Sequence, residues 1–136
     1  MADTPMGYRA SATINICRFV VADTANPNGA TQASDATHAP LGISTDYVKT
    51  RPDPDIAADP NVIAALVGDP IRVHPNGKKG VSLYCNAAWA AGDLLMSDAS
   101  GFGIVATTGN WYGARAQTAG TVGSLCTVDV FVGQLN

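Results

Sequence analysis

Glutamate is missing altogether: all eleven acidic residues are Asp. Glu favours helices, whereas Asp favours caps and turns, so this absence argues against a helical protein. Charge of either sign is scarce, at 14% of residues against roughly 25% in an average soluble domain. A surface so poor in charge is often covered by something else, which points to an oligomer or a larger assembly. No basic stripe exists, and the net charge is -3. That excludes the electrostatic footprint of a nucleic-acid binder. No apolar run approaches the roughly 18 residues of a membrane span. The opening "MADTPMGYRASAT" lacks the apolar core of a signal peptide, so the chain is expected to stay in the compartment where it is made. Cysteine is sparse and odd in number: Cys17, Cys85 and Cys126 are far apart. Reduced, buried thiols are expected. A zinc site would want cysteines paired a few residues apart, and none are.

What is present is turn chemistry between short apolar runs. The chain has 14 Gly, 8 Pro and 46% hydrophobic residues over 136 positions, enough for one domain with a real core. "TINICRFVV" (13–21) reads as a strand buried first on one face and then on both. "NPNG" before Ala30 is a hairpin signal. "DYVKTRPDPDIAADPNVIAALVGDP" breaks the pattern. Pro52 and Pro54 make an irregular loop, Asp59-Pro60 resembles a helix start, and Val62, Ile63, Leu66 and Val67 offer an apolar face ended by Gly68. "PIRVHPNGKKGVSLYC" reads as two strands around a turn. In "SLCTVDVFVGQL", Cys126, Val128, Val130 and Val132 alternate with Leu125, Thr127, Asp129 and Phe131, the firmest strand in the chain.

The chain also echoes itself. Val20 to Asp23 lie 75 residues before Leu95 to Asp98, Gly42 lies 71 before Gly113, and Gly68, Ile71 and Val73 lie 55 before Gly123, Cys126 and Val128. Such an echo predicts two small sets of strands that close on each other, since neither buries its face alone. The fold expected is all-β, a compact antiparallel β-sandwich or barrel of jelly-roll-like type. An extended arm over residues 1–12 precedes a single β domain over 13–136. That domain carries the Pro-rich loop and a short helix near 60–67, within 46–68.

Chemistry is harder to find. His74 with Ser82 and an Asp could be drawn as a hydrolytic triad, yet no G-x-S-x-G elbow surrounds any serine. His38 sits in a loop beside Pro40. Asp53, Asp55 and Asp59 resemble a calcium loop but lack its turn glycine and terminal acid. "GFG" at Gly101 has no third glycine and no βαβ context. Lys78 and Lys79 suit a solvated hairpin tip or, alternatively, an acidic partner. Trp89, Trp111 and Tyr112 suit core or interface anchors, or a sugar platform. No catalytic, cofactor-binding or metal-binding residue is expected.

The layout "RFVVAD", "QASDATHAPLGIS", "GDPIRV", "AAWAAGDLLMSDASGFGIVAT" and "YGARAQTAGTVGSLCTVDVFVG", over most of residues 14–133, resembles the small capsid cement, or decoration, proteins of tailed bacteriophages. The resemblance implies an all-β protein, usually trimeric, on the outside of a capsid, with the major capsid protein as partner and no enzyme activity or cofactor. The virion exterior is then the expected location, after synthesis in the host cytoplasm. The arm and the excursion at 46–61 depart from the family layout. Residue types common at interfaces make Thr4, Pro5, Met6, Tyr8, Arg9, Tyr47, Arg51, Trp111 and Tyr112 the candidate contacts. A carbohydrate- or receptor-binding head module is the alternative, and would show an exposed aromatic platform. A small enzyme would show a pocket gathering a histidine and a carboxylate.

Overall fold

Period-2 alternation near the C-terminus produces the longest strand. In the computed structural model, which describes residues 6–23, 25, 28–44 and 63–135, Leu125–Gln134 is continuous. Cys126, Val128 and Val130 are buried while Thr127 and Phe131 face solvent, as a one-sided strand requires. The described residues contain twelve strands and no helix: β1 (Met6–Ala10), β2 (Ile14–Asn15), β3 (Phe19–Ala22), β4 (Gly29–Gln32), β5 (Gly42–Ser44), β6 (Ile63–Ala65), β7 (Pro70–Pro75), β8 (Val81–Tyr84), β9 (Leu94–Ser97), β10 (Gly103–Val105), β11 (Trp111–Ala116) and β12 (Leu125–Gln134). Strands β1-β4-β3-β5-β7 close into a barrel, β10-β9-β11-β12-β8 form a sheet, and β2-β6 form a small pair. The all-β class is as expected, and of the sandwich or barrel anticipated the chain forms a five-stranded closed barrel beside a five-stranded sheet; the barrel departs from an all-antiparallel fold in one pairing, β1 with β4, which is parallel.

The echo in the sequence is a duplication of this topology. Every pairing of the first unit recurs in the second. Met6↔Val73 becomes Val81↔Val128, Val20↔Gln32 becomes Leu95↔Val105, Phe19↔Ile43 becomes Leu94↔Arg115, and Ser44↔Val73 becomes Ala116↔Val128. Two isolated bridges complete the match. The parallel Cys85↔Gly103 repeats Ala10↔Ala30, and Trp89↔Gly120 repeats Ile14↔Ala65. The second sheet is thus a barrel closed by a single bridge. The left-handed backbone positions repeat as well: Cys17 with Gly92, Asn28 with Gly101, Gly68 with Gly123. The displacement is 75 residues at β1 and β3, 73 at β4, 72 at β5 and 55 at β7. Gly42 therefore aligns with Ala114 and not with Gly113, because β11 carries a bulge between Tyr112 and Ala114.

Each unit has its own apolar cluster, and each cluster draws on the other unit. Ile14, Val20, Ala30, Ile71 and Val73 fill the first barrel, joined by Tyr84 and, at the margin, Phe102 and Leu125 from the second unit. Leu83, Trp89, Leu95, Val128 and Val130 fill the second, joined by Phe19, Ala33 and Ile43 from the first. Arg18, just before β3, is buried between them. Its Nη1 donates to the Ser100 carbonyl at 2.6 Å, and the guanidinium lies 3.9 Å from the Phe102 ring centroid. Burial lowers its pKa, while Asp98 and Tyr84 act in the opposite sense.

Four expectations need correction. Residues 63–67 are not helical: Ile63–Ala65 pairs with β2, and Leu66 and Val67 are 42% and 68% exposed. Leu66 and Val67, half of the spacing that suggested a helix, face solvent, and the ladder with β2 takes the backbone bonds of Ile63–Ala65 instead. Asp59 and residues 60–62 lie outside the described residues. Met6–Ala10 is not a free arm, because it closes the barrel between β4 and β7, with Ala10 buried. Five backbone positions suffice for that, whatever their hydrophobicity, since main-chain bonds do the work. Cys85 and Cys126 form a disulfide, and Cys17, which is buried, lies outside it. They are 41 apart in sequence, but the antiparallel β8–β12 register, Cys126 opposite Leu83, makes them diagonal neighbours. Finally, residues 13–21 are not one strand: Cys17, at φ 55°, turns the chain between β2 and β3.

Candidate interaction surface

The chemistry sketched around His74 meets a small cleft of about 130 Å³ lined by Ser44, His74, Lys78, Gly80, Val81 and Ser82. His74 and Ser82 do both line this cleft, but no carboxylate lines it. Ser44 is committed to the fold. Its Oγ donates to the Asn15 carbonyl at 2.7 Å and accepts from the Arg18 N–H at 2.9 Å. Among the described residues, no three His, Cys, Asp or Glu side chains gather to hold a metal ion. No helix there is long and apolar enough to cross a membrane.

Most other polar candidates organise turns. Asp98 accepts from the Ser100 and Phe102 N–H groups at 2.8 and 3.0 Å and from Asn86 Nδ2 at 2.6 Å. The "GFG" glycines therefore belong to a packed turn, with Gly103 against Leu83 and Trp89. Asp35 accepts from the Thr37 N–H and hydroxyl, which lowers its pKa. His38 is exposed beside that turn, 3.0 Å from the Thr37 hydroxyl. Lys78 and Lys79 are exposed on the β7–β8 connection, which is pinned to β12 by the Val130 N–H donating to the Lys78 carbonyl at 2.7 Å.

The candidate contacts divide three ways. Thr4, Pro5, Tyr47 and Arg51 lie outside the described residues, as do Asp53 and Asp55. Met6, Tyr8 and Arg9 lie on β1. There Tyr8 packs against the first core, and exposed Arg9 donates from Nη1 to the Gly68 carbonyl at 3.1 Å. Trp111 and Tyr112 open β11, both half-buried. Trp89, in contrast, is core: its indole N–H donates to the Thr118 carbonyl at 3.1 Å, and its ring lies over Gly120, where a Cβ would collide with it.

One apolar surface does emerge, on the outer face of the second unit. Tyr112 stacks on Phe131 with ring centroids 5.6 Å apart and planes at 26°, and Phe131 is 46% exposed. The strand pairs Met96↔Ile104 and Leu94↔Arg115 put three more apolar side chains on the same face, opposite the buried Leu95. All three are half-buried. Arg115 is opposite Asp129, so the charges on this face compensate each other. Asp129 also accepts from Gln117 Nε2 and the Gly80 N–H, with Lys79 and Arg115 nearby, and its pKa is lowered. Phe131 was legible in sequence only as a member of the polar set of β12. An aromatic on that set was the available signal.

No family model and no curated protein matches the chain. Among solved structures it is similar to the crystal structure of the head fiber gp8.5 N base of bacteriophage phi29, with a TM-score of 0.57 and 14% identity, covering 92% of this chain and 91% of that one. At that identity the likeness is one of fold, and it extends over nearly the whole of both chains.

Proposed function

We propose that this chain is a structural protein of a tailed-phage virion that binds the outer surface of the assembled capsid and ties capsomers together. The observation that carries the reading is the end-to-end fold similarity to the base of a phage head fiber. The layout shared with capsid cement proteins points the same way. The major capsid protein is the partner, the protein self-associates, most simply as a trimer, and no catalysis, cofactor, nucleic acid or membrane is involved. It is made in the host cytoplasm and ends on the capsid exterior. Several copies gripping several coat subunits give a slow off-rate from modest contacts. A protein that binds only the assembled shell stabilises it by mass action. The test is pelleting with intact capsids against unassembled coat protein. Depletion from the supernatant by capsids alone is expected, and equal recovery with both, or none with either, overturns the reading.

The Tyr112–Phe131 stack favours a second reading, a glycan- or receptor-binding module of the virion. Saturable glycan binding that Phe131→Ala abolishes would select it.

A further inference from the structure

We infer that the outer face of β9–β12 is a docking surface for a second copy of this chain. The duplication supplies the argument. In the first unit the corresponding face consists of Phe19, Val21, Thr31 and Ile43, which occupy the positions of Leu94, Met96, Ile104 and Arg115 in the second. There the face is covered: Phe19 and Ile43 are fully buried in the cluster of the other unit, and Val21 packs against it. The chain thus already uses this face of its repeated fold to seat another copy of that fold. In the second unit the same face stays apolar and is extended by the Tyr112–Phe131 stack, and among the described residues Leu94, Met96 and Ile104 stay partly exposed and Phe131 exposed. An apolar face retained on a charge-poor surface is the mark of an interface. With Arg115 opposite Asp129, the strands of this face carry charge of both signs and no block of one sign for a strongly basic or acidic partner. A neutral surface, such as this protein's own, fits better.

This deepens the self-association within the proposed function and names its surface. The test measures mass by light scattering and sedimentation equilibrium on the full chain without capsids, over about 1–100 μM, the range in which weak oligomers dissociate. The wild type is expected above monomer mass. Phe131→Asp and, separately, Met96→Lys should each raise the apparent dissociation constant at least about tenfold. Val122→Asp, on an exposed turn before β12, should leave it unchanged. Circular dichroism identifies variants that remain folded, and Ile104→Glu replaces either that does not. A wild-type monomer throughout overturns the inference. So does an oligomer that folded face variants leave intact, or a face whose variants lose only capsid pelleting or glycan binding. Wild-type pelleting with capsids is read separately, so failure of the virion role and failure of this surface remain distinguishable.

Discussion

The two units share their strand pairings and differ in what holds them shut. The first is closed by main-chain bonding, with β1 parallel to β4 over two paired positions and antiparallel to β7 over four. The second has a single bridge at the same seam, Cys85↔Gly103. It adds a covalent link from β8 to β12, Cys85–Cys126, where the first unit has only Ala10 and Ile71. It also replaces the pair Ile14 and Ala65 with Trp89 and Gly120, so that a large indole lies on bare backbone. One topology therefore stands on two supports: a hydrogen-bonded ladder in one unit, a cross-link and an aromatic plug in the other. Where the ladder is short, side chains do the closing.

The sharpest way to break the comparison is to remove the ladder. Deleting residues 6–10 opens the first barrel and leaves the edges of β4 and β7 unpaired. Loss of cooperative unfolding in a thermal melt is expected; a transition within a few degrees of the full chain would show that β1 is dispensable. The cross-link comes next. Reduction should destabilise the protein by about 2–4 kcal/mol, seen as a lower denaturant midpoint, with hydrogen exchange rising more at β8 and β12 than in the first barrel. Titration of the unreduced, denatured chain should find one thiol, Cys17; three would remove this difference between the units. The plug gives a smaller effect. Gly120→Ala puts a Cβ into the Trp89 ring and should cost about 1–3 kcal/mol. Restoring the first unit's pair with Trp89→Ile should recover part of it, with a coupling of about 0.5–3 kcal/mol in a double-mutant cycle. Additive losses would mean that the two positions do not sense each other.

The smallest expected effect is acidic. The Asp129 carboxyl is held below the ordinary carboxylate range, first by Gln117. Its contribution is therefore present above the unfolded pKa and is lost as pH falls through the folded one. Asp129→Asn should flatten the acid limb of a melting-temperature profile slightly between about pH 5 and 2. A steeper limb in the variant would reverse the sign. Solvent screening at this exposed site keeps the effect small.

Much of this was legible in the chain. The missing Glu and abundant turn residues gave an all-β fold, the alternation from Leu125 to Val132 gave β12, and the 75- and 55-residue echoes gave the duplication. The failures share a cause: local pattern was read without its tertiary partner. The spacing of Val62, Ile63, Leu66 and Val67 suits a helix, but β2 was waiting to pair with Ile63–Ala65. Met6–Ala10 looked too polar for a core, yet a strand at a barrel seam is held by backbone bonds. Cys85 and Cys126 meet only through register. Trp111 and Tyr112 stand out in the sequence as aromatics, whereas their neighbour Phe131 comes into view only through the β11–β12 pairing.

The unequal displacement has a consequence for how freely the chain can vary. From Met6 to its partner Val73 the first unit spans 67 residues, and from Val81 to Val128 the second spans 47. Most of the difference falls between β5 and β6. Because the entropy of closing a loop grows only with the logarithm of its length, the longer span costs about 0.3 kcal/mol more. That is a few per cent of the stability of an ordinary domain. The segment between Ser44 and Ala65 can therefore change length at little loop-closure cost, whereas its counterpart between Ala116 and Gly120 has only three residues to give.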